Sequence, residues 1–273
     1  MSNVDVKRVE GQVMTVNSYL VRGPSGVVVV DGQLTVSDAG RVRQAVEATG
    51  GQLAGVLVTH AHPDHYAGIG HLLDGADVPI VATERVDEII RRDDAIKDGI
   101  VGPMMGAEWP AHRVFPNQTV ANDGTVELAG LSFHVRDLGP GESPADSLWW
   151  VDEHAMFAGD VSYHQMHSYL ADGYYQEWLA TIGRLEEELP ADVTLFVGHG
   201  EPGGLELLAS QRRYIETFTA AVGDHLDMDE DGMKAVVVAH MRQLVPSERL
   251  QFLMELSIAP VAASLRNRQQ SGG

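Results

Sequence analysis

The chain has 273 residues, a length that fits one large α/β domain or one domain with a helical appendage. It contains no cysteine, which excludes disulfides, thiolate zinc sites and iron–sulfur clusters, so any metal must be held by imidazole and carboxylate groups. A formal net charge of -20 would repel a phosphate backbone and argues against a nucleic-acid partner. Because we find no apolar signal segment and no apolar run of membrane length, we expect a cytoplasmic protein without a membrane partner.

The first part of the chain alternates between predicted strands and helices. Strands are indicated at residues 13–21 and 27–31, on either side of a Gly-Pro-Ser-Gly turn. A helical pattern follows over residues 36–48, and a short apolar strand is predicted for residues 53–59. Alternating helix and strand signals then continue to Arg92, which predicts an α/β architecture.

A long loop is predicted for residues 99–118, because this stretch is rich in glycine, proline and methionine. Its large apolar side chains are Met104, Met105, Trp109 and Phe115. We expect them to form an apolar wall against a substrate. The alternative is a loop that only covers the core.

Beyond this loop the pattern changes from strands to helices. Several strand signals lie between residues 125 and 158, and a helix near 176–188 and a strand near 193–197 follow them. The sequence after residue 204 is wholly helical in pattern. We therefore predict a catalytic α/β domain over residues 1–204 and a helical extension over residues 205–273 that packs on it. A structural buttress, a substrate lid and a homodimer surface are the alternatives for the extension.

Metal-binding residue types are concentrated directly after the predicted strand of residues 53–59. They are His60, His62, Asp64 and His65. In extended backbone, His60 and His62 point the same way, so two imidazoles can converge on one ion. The turn at Pro63 then directs Asp64 and His65 toward a second point nearby. The loop is therefore predicted to serve two adjacent metal sites.

This His-x-His-x-Asp-His spacing resembles the signature of the metallo-β-lactamase superfamily. Two later segments extend the resemblance. Asp160, in Phe-Ala-Gly-Asp, is similar to the bridging aspartate of the family, and His199, in Val-Gly-His-Gly, is similar to its last ligand. The resemblance covers roughly residues 12–204 and implies an α/β fold, a four-layer αβ/βα sandwich, with the helical extension added at the C-terminus. It also implies that Asp160 and His199 complete the metal centre.

Glu142 departs from the family pattern. It stands in a Gly-Pro-Gly-Glu-Ser segment, where the family has the third histidine of the first site. As a ligand it would form a two-histidine, one-glutamate set with His60 and His62, a known composition for catalytic zinc. Its harder, charge-donating carboxylate would favour tolerance of manganese or iron. The alternatives are that Glu142 only accepts a hydrogen bond from a ligand, or that one metal alone is well held.

Five further residues are candidates for supporting roles around the metal centre. Asp31 and Thr59 are expected to orient imidazoles, although turn and cap chemistry would also account for them. His164 and His167 follow Asp160 closely and are candidates for contact with metal or substrate; the alternatives are a surface position or a hydrogen bond to a metal ligand. Trp109 is a candidate for the substrate wall.

The resemblance implies a metallo-hydrolase whose two divalent ions hold a bridging hydroxide that attacks a small-molecule substrate. Zinc is the expected metal, with manganese and iron as alternatives, and Asp64 is expected both to bind metal and to move the proton. The apolar wall favours an ester, thioester, lactone or cyclic amide over a charged phosphodiester. An iron-dependent redox enzyme and a non-catalytic ligand sensor are the other functions left open.

Overall fold

The computed structural model describes residues 4–271, so the outer ends of the two predicted domains, residues 1–3 and 272–273, lie outside the described residues. Two β-sheets form the centre of the described chain. The first has the strand order β1-β2-β3-β4-β5-β6. Its strands are β1 (Asp5–Glu10), β2 (Asn17–Gly23), β3 (Gly26–Val30), β4 (Leu53–Leu57), β5 (Ile80–Thr83) and β6 (Gln118–Val120). Strands β1 to β3 are antiparallel, and strands β3 to β6 are parallel.

The second sheet has the strand order β11-β10-β9-β8-β7. Its strands are β7 (Thr125–Leu128), β8 (Leu131–Gly139), β9 (Asp146–Asp152), β10 (Ala155–Tyr163) and β11 (Thr194–His199). Neighbouring strands are antiparallel except for β10 and β11, which run parallel. The strands of this sheet come from distant parts of the chain. Residues on them therefore reach the candidate metal centre from several such parts.

Helices cover the outer faces of both sheets. They are α1 (Val36–Glu47), α2 (Pro63–Tyr66), α3 (Ile69–Leu73), α4 (Glu84–Met105), α5 (Tyr175–Glu188), α6 (Glu206–Gly223), α7 (Glu230–Leu244) and α8 (Gln251–Ser271). Helix α4 contacts the first sheet and α6 contacts the second. The order helix, sheet, sheet, helix confirms the predicted four-layer αβ/βα sandwich.

The valines of β3 show how the layers are held together. Val28 and Val30 belong to the apolar cluster between the sheets, whereas Val27 and Val29 belong to the cluster beneath the helices. Successive side chains of a strand point to opposite faces, so a strand covered on both faces has a continuous apolar sequence. All four valines are buried for this reason.

Helix α4 corrects the first part of the loop that the sequence predicts for residues 99–118, whereas residues 109–117 form no helix or strand. The helix passes two glycines and Pro103 before it ends at Met105. The local breaker signals are wrong here because tertiary packing outweighs propensity. Trp109 folds back against the helix, where a Cβ at Gly102 would lie 3.2 Å from Cδ1 of the indole. The two edge strands β1 and β6, by contrast, carry no clear signal in the sequence.

The helices after residue 204 pack on the α/β part. Helix α6 contacts α5 and β10, and helices α7 and α8 contact α6. None of the helices in the described part of the chain combines the length and apolar character that a membrane span requires. The boundary between two domains at residue 204 stays a prediction.

Phe157 offers a test of the layer between the sheets. It has no exposed surface, and its ring centroid lies 5.0 Å from that of Phe196 and 5.8 Å from that of Tyr19. Phe157→Ala would leave a cavity there, and we expect the free energy of unfolding to fall by about 3–5 kcal/mol in urea denaturation. The control Val13→Ala alters a side chain that is 51% exposed and should change stability by less than about 0.5 kcal/mol. Equal losses in the two variants would contradict the described packing.

Candidate metal centre

The metal-binding loop begins just beyond the end of strand β4. His60 forms a β-bridge to the first residue of β9, which joins the two sheets at this point. The backbone is extended at His62 (φ −86°, ψ 146°), and Pro63 then begins helix α2. Proline suits the first helical position because its nitrogen has no hydrogen to leave unpaired. The short helix carries Asp64 and His65, as the turn in the sequence predicts.

The first group of ligand atoms comes from His60, His62 and Glu142, and its atoms lie within 4.8 Å of one another. Oε2 of Glu142 is 2.8 Å from Nδ1 of His62 and 3.6 Å from Nε2 of His60. All three side chains are buried. The structure therefore brings together the three residues predicted for the first site.

The second group comes from Asp64, His65, Asp160 and His199. Nε2 of His199 is 3.3 Å from Oδ2 of Asp64. Asp160 lies between the two groups: its Oδ2 is 3.1 Å from Nε2 of His199 and 3.8 Å from Nε2 of His60. Its Oδ1 is 3.4 Å from Nε2 of His65. This position suits a carboxylate shared by two metal sites.

The hydrogen bonding of these residues tests whether they fit a metal. Five of their ligand atoms are buried and, although they lie close to one another, make no hydrogen bond of suitable geometry in the described structure: Nε2 of His60, His65 and His199, Oε2 of Glu142 and Oδ1 of Asp160. Most buried polar atoms in proteins have a partner, so a cluster without partners needs an explanation. Divalent cations would satisfy these atoms, and imidazole with carboxylate is a donor set that suits zinc, manganese or iron.

Asp31 and Thr59 contact the Nδ1 atoms of two imidazoles, on the side of each ring away from its Nε2 ligand atom. Oδ2 of Asp31 is 2.8 Å from Nδ1 of His65 and accepts a hydrogen bond from the Thr59 hydroxyl at 2.8 Å. The same hydroxyl is 3.0 Å from Nδ1 of His60. Such contacts fix which ring nitrogen faces the metal. This geometry is compatible with the predicted role of Asp31 and Thr59 in orienting the two imidazoles. That role stays a prediction.

Asp172 supports His62 in the same way, and sequence reasoning missed it. Its Oδ2 lies 3.0 Å from Nε2 of His62, and its Oδ1 accepts a hydrogen bond of 3.3 Å from the Tyr169 hydroxyl. Burial would raise the pKa of Asp172, but the hydrogen bond and charge of His62 outweigh it and lower the pKa to about 2. A charged carboxylate thus orients Nδ1 of His62 toward Glu142.

A buried turn positions Glu142. The carboxylate of Asp146 accepts hydrogen bonds from the backbone N–H of Glu142 (2.8 Å) and from the Ser143 hydroxyl (2.7 Å). Burial raises the pKa of Asp146 to about 8, with the nearby charge of Glu142 adding to the effect. Asp146 therefore closes the turn that aims the Glu142 side chain at the two histidines.

Tyr163 is a second residue that sequence reasoning missed. Its hydroxyl lies 2.7 Å from Oδ2 of Asp160 and 3.0 Å from Oε1 of Glu142, and can donate its hydrogen to either oxygen. Its ring stacks on His199 with 4.8 Å between centroids. Tyr163 thus contacts a carboxylate of each group.

The electrostatics of the candidate centre favour bound protons. Burial would lower the pKa of His65 and His199, but neighbouring carboxylates, chiefly Asp160, outweigh it. The pKa of His199 rises to about 10 and that of His65 rises well above its ordinary value. Burial raises the pKa of Glu142 to about 7. Because metals bind deprotonated ligands, an incoming cation must displace these protons.

None of three predicted supporting residues, His164, His167 and Trp109, lines the pocket beside the ligand groups. Nδ1 of His164 is 2.8 Å from a backbone carbonyl oxygen, and Nδ1 of His167 is 3.1 Å from the Tyr214 hydroxyl. The indole N–H of Trp109 donates to Asp98 at 2.6 Å. These contacts satisfy polar groups within the fold, and a contact of the three residues with metal or substrate stays a prediction.

A pocket with a cavity volume of about 180 Å³ opens directly over the metal-binding residues. Asp64, Glu142, Asp160 and Tyr163 are among the residues of its floor. Its walls come largely from helices α4 and α8. Met104 and Met105 of the predicted apolar wall line this pocket, but they lie on a helix. Phe115 packs on Tyr66 and does not line the pocket.

The comparison with protein families agrees with this geometry. The family model described as Metallo-beta-lactamase superfamily matches residues 11–199, which include every candidate ligand. The chain belongs to this superfamily. Among curated relatives, the hydroxyacylglutathione hydrolase of Bdellovibrio bacteriovorus is 24% identical over 248 residues, covering 85% of this chain and 86% of that protein. The one of Methylobacterium nodulans is 33% identical over 144 residues, covering 46% of this chain and 55% of that protein.

Solved structures of the superfamily share the fold at low identity. A metallo-beta-lactamase family protein from Thermus thermophilus superposes with a TM-score of 0.70 at 19% identity, covering 98% of this chain and 95% of that chain. A beta-lactamase domain protein from Burkholderia ambifaria superposes with a TM-score of 0.68 at 16% identity, covering 96% of this chain and 86% of that chain. The shared architecture therefore includes the C-terminal helices.

Gly198 allows a direct test of the centre. A Cβ at this position would lie 1.9 Å from Oδ1 of Asp160 and 2.8 Å from Cε1 of His65, so Gly198→Ala must displace the shared carboxylate. We expect zinc affinity, measured by competition with a chromophoric chelator, to fall by about 10-fold or more. Gly40→Ala is the matched control, because nothing lies within 4 Å of its added Cβ. Unchanged affinity in Gly198→Ala would refute the placement of Asp160.

Proposed function

We propose that this protein is a metal-dependent hydrolase that uses two adjacent divalent ions to cleave an ester, lactone or thioester bond of a small molecule. The observation that carries the proposal is the pair of ligand groups that meet at Asp160 beneath an open pocket. Membership of the metallo-β-lactamase superfamily and relatives named hydrolases support an enzymatic function.

The proposed first site consists of His60, His62 and Glu142, and the proposed second site consists of Asp64, His65 and His199, with Asp160 between them. When bound, two adjacent divalent ions would supply a nucleophilic hydroxide near neutral pH and polarise the bond to be cleaved. Zinc suits this donor set best. Manganese and iron are the alternatives that the carboxylate of Glu142 favours.

Asp64 is the residue that we assign to proton transfer. Its carboxylate belongs to the second group and also lines the pocket, so it can contact both the centre and a bound substrate. A positioned carboxylate can accept the proton of the attacking water and return it to the leaving group. The Tyr163 hydroxyl holds Oδ2 of Asp160 and thereby fixes the shared carboxylate.

The names of the relatives and the pocket agree on the type of bond. Hydroxyacylglutathione hydrolases are, by name, enzymes that act on thioesters of glutathione. The pocket walls of this chain are mainly apolar, as a substrate with an apolar part requires. An ester, lactone or thioester therefore fits better than a highly charged phosphodiester.

One observation favours a second candidate function, an iron-dependent redox enzyme. His60, His62 and Glu142 form a set of two histidines and one carboxylate, which is a ligand set of non-haem iron in oxygen-using enzymes. Oxygen uptake by iron-loaded protein, without hydrolysis by zinc-loaded protein, would support this function over hydrolysis.

Glu142→Gln tests whether this residue binds metal. The substitution keeps the shape of the side chain and removes the negative charge that faces His60 and His62. We expect the zinc content, measured by mass spectrometry after gel filtration, to fall from two ions per chain to one. Glu127→Gln on the exposed side of β7 is the control. Retention of two ions at unchanged affinity would rule out Glu142 as a ligand.

The role of Asp64 is tested by Asp64→Asn in zinc-loaded protein. Loss of the proton acceptor should lower kcat on an ester, lactone or thioester by about 10²–10⁴-fold. Asp64 also lies 3.3 Å from Nε2 of His199, and we expect the loss of kcat to exceed by far any loss of stability in thermal unfolding. Turnover equal to that of the parent would remove Asp64 from the mechanism.

A further inference from the structure

Two helices form an apolar entrance to the metal centre. Ile100 and Met104 on α4, and Phe252 and Leu256 on α8, line the same pocket as the floor residues Asp64 and Glu142. Within each pair the residues are four apart, so they lie on one face of their helix. The space between the two faces, which we term the α4–α8 slot, is therefore continuous with the candidate metal centre.

The side chains of the slot are unusually exposed for their type. Ile100, Met104, Phe252 and Leu256 are between 41% and 59% exposed. Contiguous exposed apolar side chains of this kind commonly mark ligand-binding grooves. The slot leads to the candidate metal centre. Its position therefore suits the apolar part of a substrate whose reactive bond lies at the floor of the pocket.

The size of the cavity indicates how much apolar material it can take. Its volume of about 180 Å³ exceeds the roughly 150 Å³ of an apolar cavity that accommodates benzene. The enclosed part can therefore hold a group of about six carbons, by the same comparison. The exposed parts of Ile100, Met104, Phe252 and Leu256 extend this apolar surface toward solvent, where a longer chain can lie.

The charges around the pocket disfavour an anionic substrate. Among the described residues that line it, Lys97 is the one lysine or arginine, and the charge of Lys97 already acts on Asp172. Glu142 contributes a negative charge at a position where a histidine would contribute none. With Asp64 and Asp160 it offsets most of the charge of two divalent ions, so the centre attracts anions weakly. Glutathione thioesters, which carry carboxylates, fit this pocket poorly.

We propose that the site acts on a neutral ester, lactone or thioester whose acyl part is an apolar group of about six or more carbons, held in the α4–α8 slot. This inference rests on the hydrolase function proposed above and names its substrate class. The acyl chain lies between α4 and α8, and the scissile carbonyl reaches the floor beside Asp64.

A chain-length series tests the inference with zinc-loaded protein. The probes are the p-nitrophenyl esters of acetic, butyric, hexanoic and octanoic acid, with S-lactoylglutathione as the anionic comparison. Each methylene that enters the slot should raise kcat/KM by about threefold, so octanoate should exceed acetate by about 100-fold or more. Octanoate should also be a better substrate than S-lactoylglutathione.

Substitutions in the slot supply the matched controls. Met104→Ser and Leu256→Ser should each lower the ratio of octanoate to acetate kcat/KM by about 10-fold. Ile96→Ser changes a residue of α4 that is 61% exposed and does not line the pocket, so this ratio should not change. Displacement of the neutral fluorophore N-phenyl-1-naphthylamine by decanamide, and not by acetamide, gives a binding readout that needs no turnover.

The outcomes separate this inference from the function on which it rests. Hydrolysis without a chain-length preference, or faster hydrolysis of S-lactoylglutathione than of octanoate, would overturn the substrate class and leave the hydrolase function intact. Absence of hydrolysis for all five probes with zinc, manganese or iron would overturn both. A preference that the two slot variants leave unchanged would overturn the assignment to the α4–α8 slot.

Discussion

The structure depends on the burial of negative charge at the junction of two sheets. Glu142 and Asp160 are 1% and 3% exposed, and both line the floor of the pocket together with Asp64. Removing ionised groups from water costs several kcal/mol for each ion unless an opposite charge is held close by. Imidazoles and protons meet part of this requirement in the metal-free chain, and divalent cations would meet the rest. The centre is therefore arranged for cations before any cation is bound.

The sandwich architecture makes this arrangement feasible, because the ends of strands from both sheets meet along one line. The loop after β4 supplies His60, the turn between β8 and β9 supplies Glu142, and β10 and β11 supply Asp160 and His199. The positions of the Asp160 and His65 side chains require a residue without a side chain at position 198. Buried contacts of residues such as Asp31 and Asp172 limit the movement of the candidate ligands. The same framework that holds the core therefore also orients the imidazoles.

Some of the site could be predicted from sequence because its signal is local. His60 to His65 lie within one turn, and their spacing alone indicates two sites; Asp160 and His199 required the family resemblance. Asp172 was missed because it contacts His62 across 110 positions of the chain. Tyr163 was missed because a register shift between Gly159 and Tyr163 brings it beside Asp160, and no sequence pattern indicates such an irregularity. The apolar slot was obscured because glycine and Pro103 suggested a loop where packing sustains helix α4.

The central claim is that one buried cluster holds two metal ions with Glu142 as a ligand. Anomalous diffraction at the zinc edge, from crystals grown with zinc, tests it most directly. We expect two peaks about 3.5–4 Å apart. Asp160 should reach both ions, and Glu142 should contact the ion that His60 and His62 bind. A single peak, or a first-site ion that Glu142 does not contact, would contradict it.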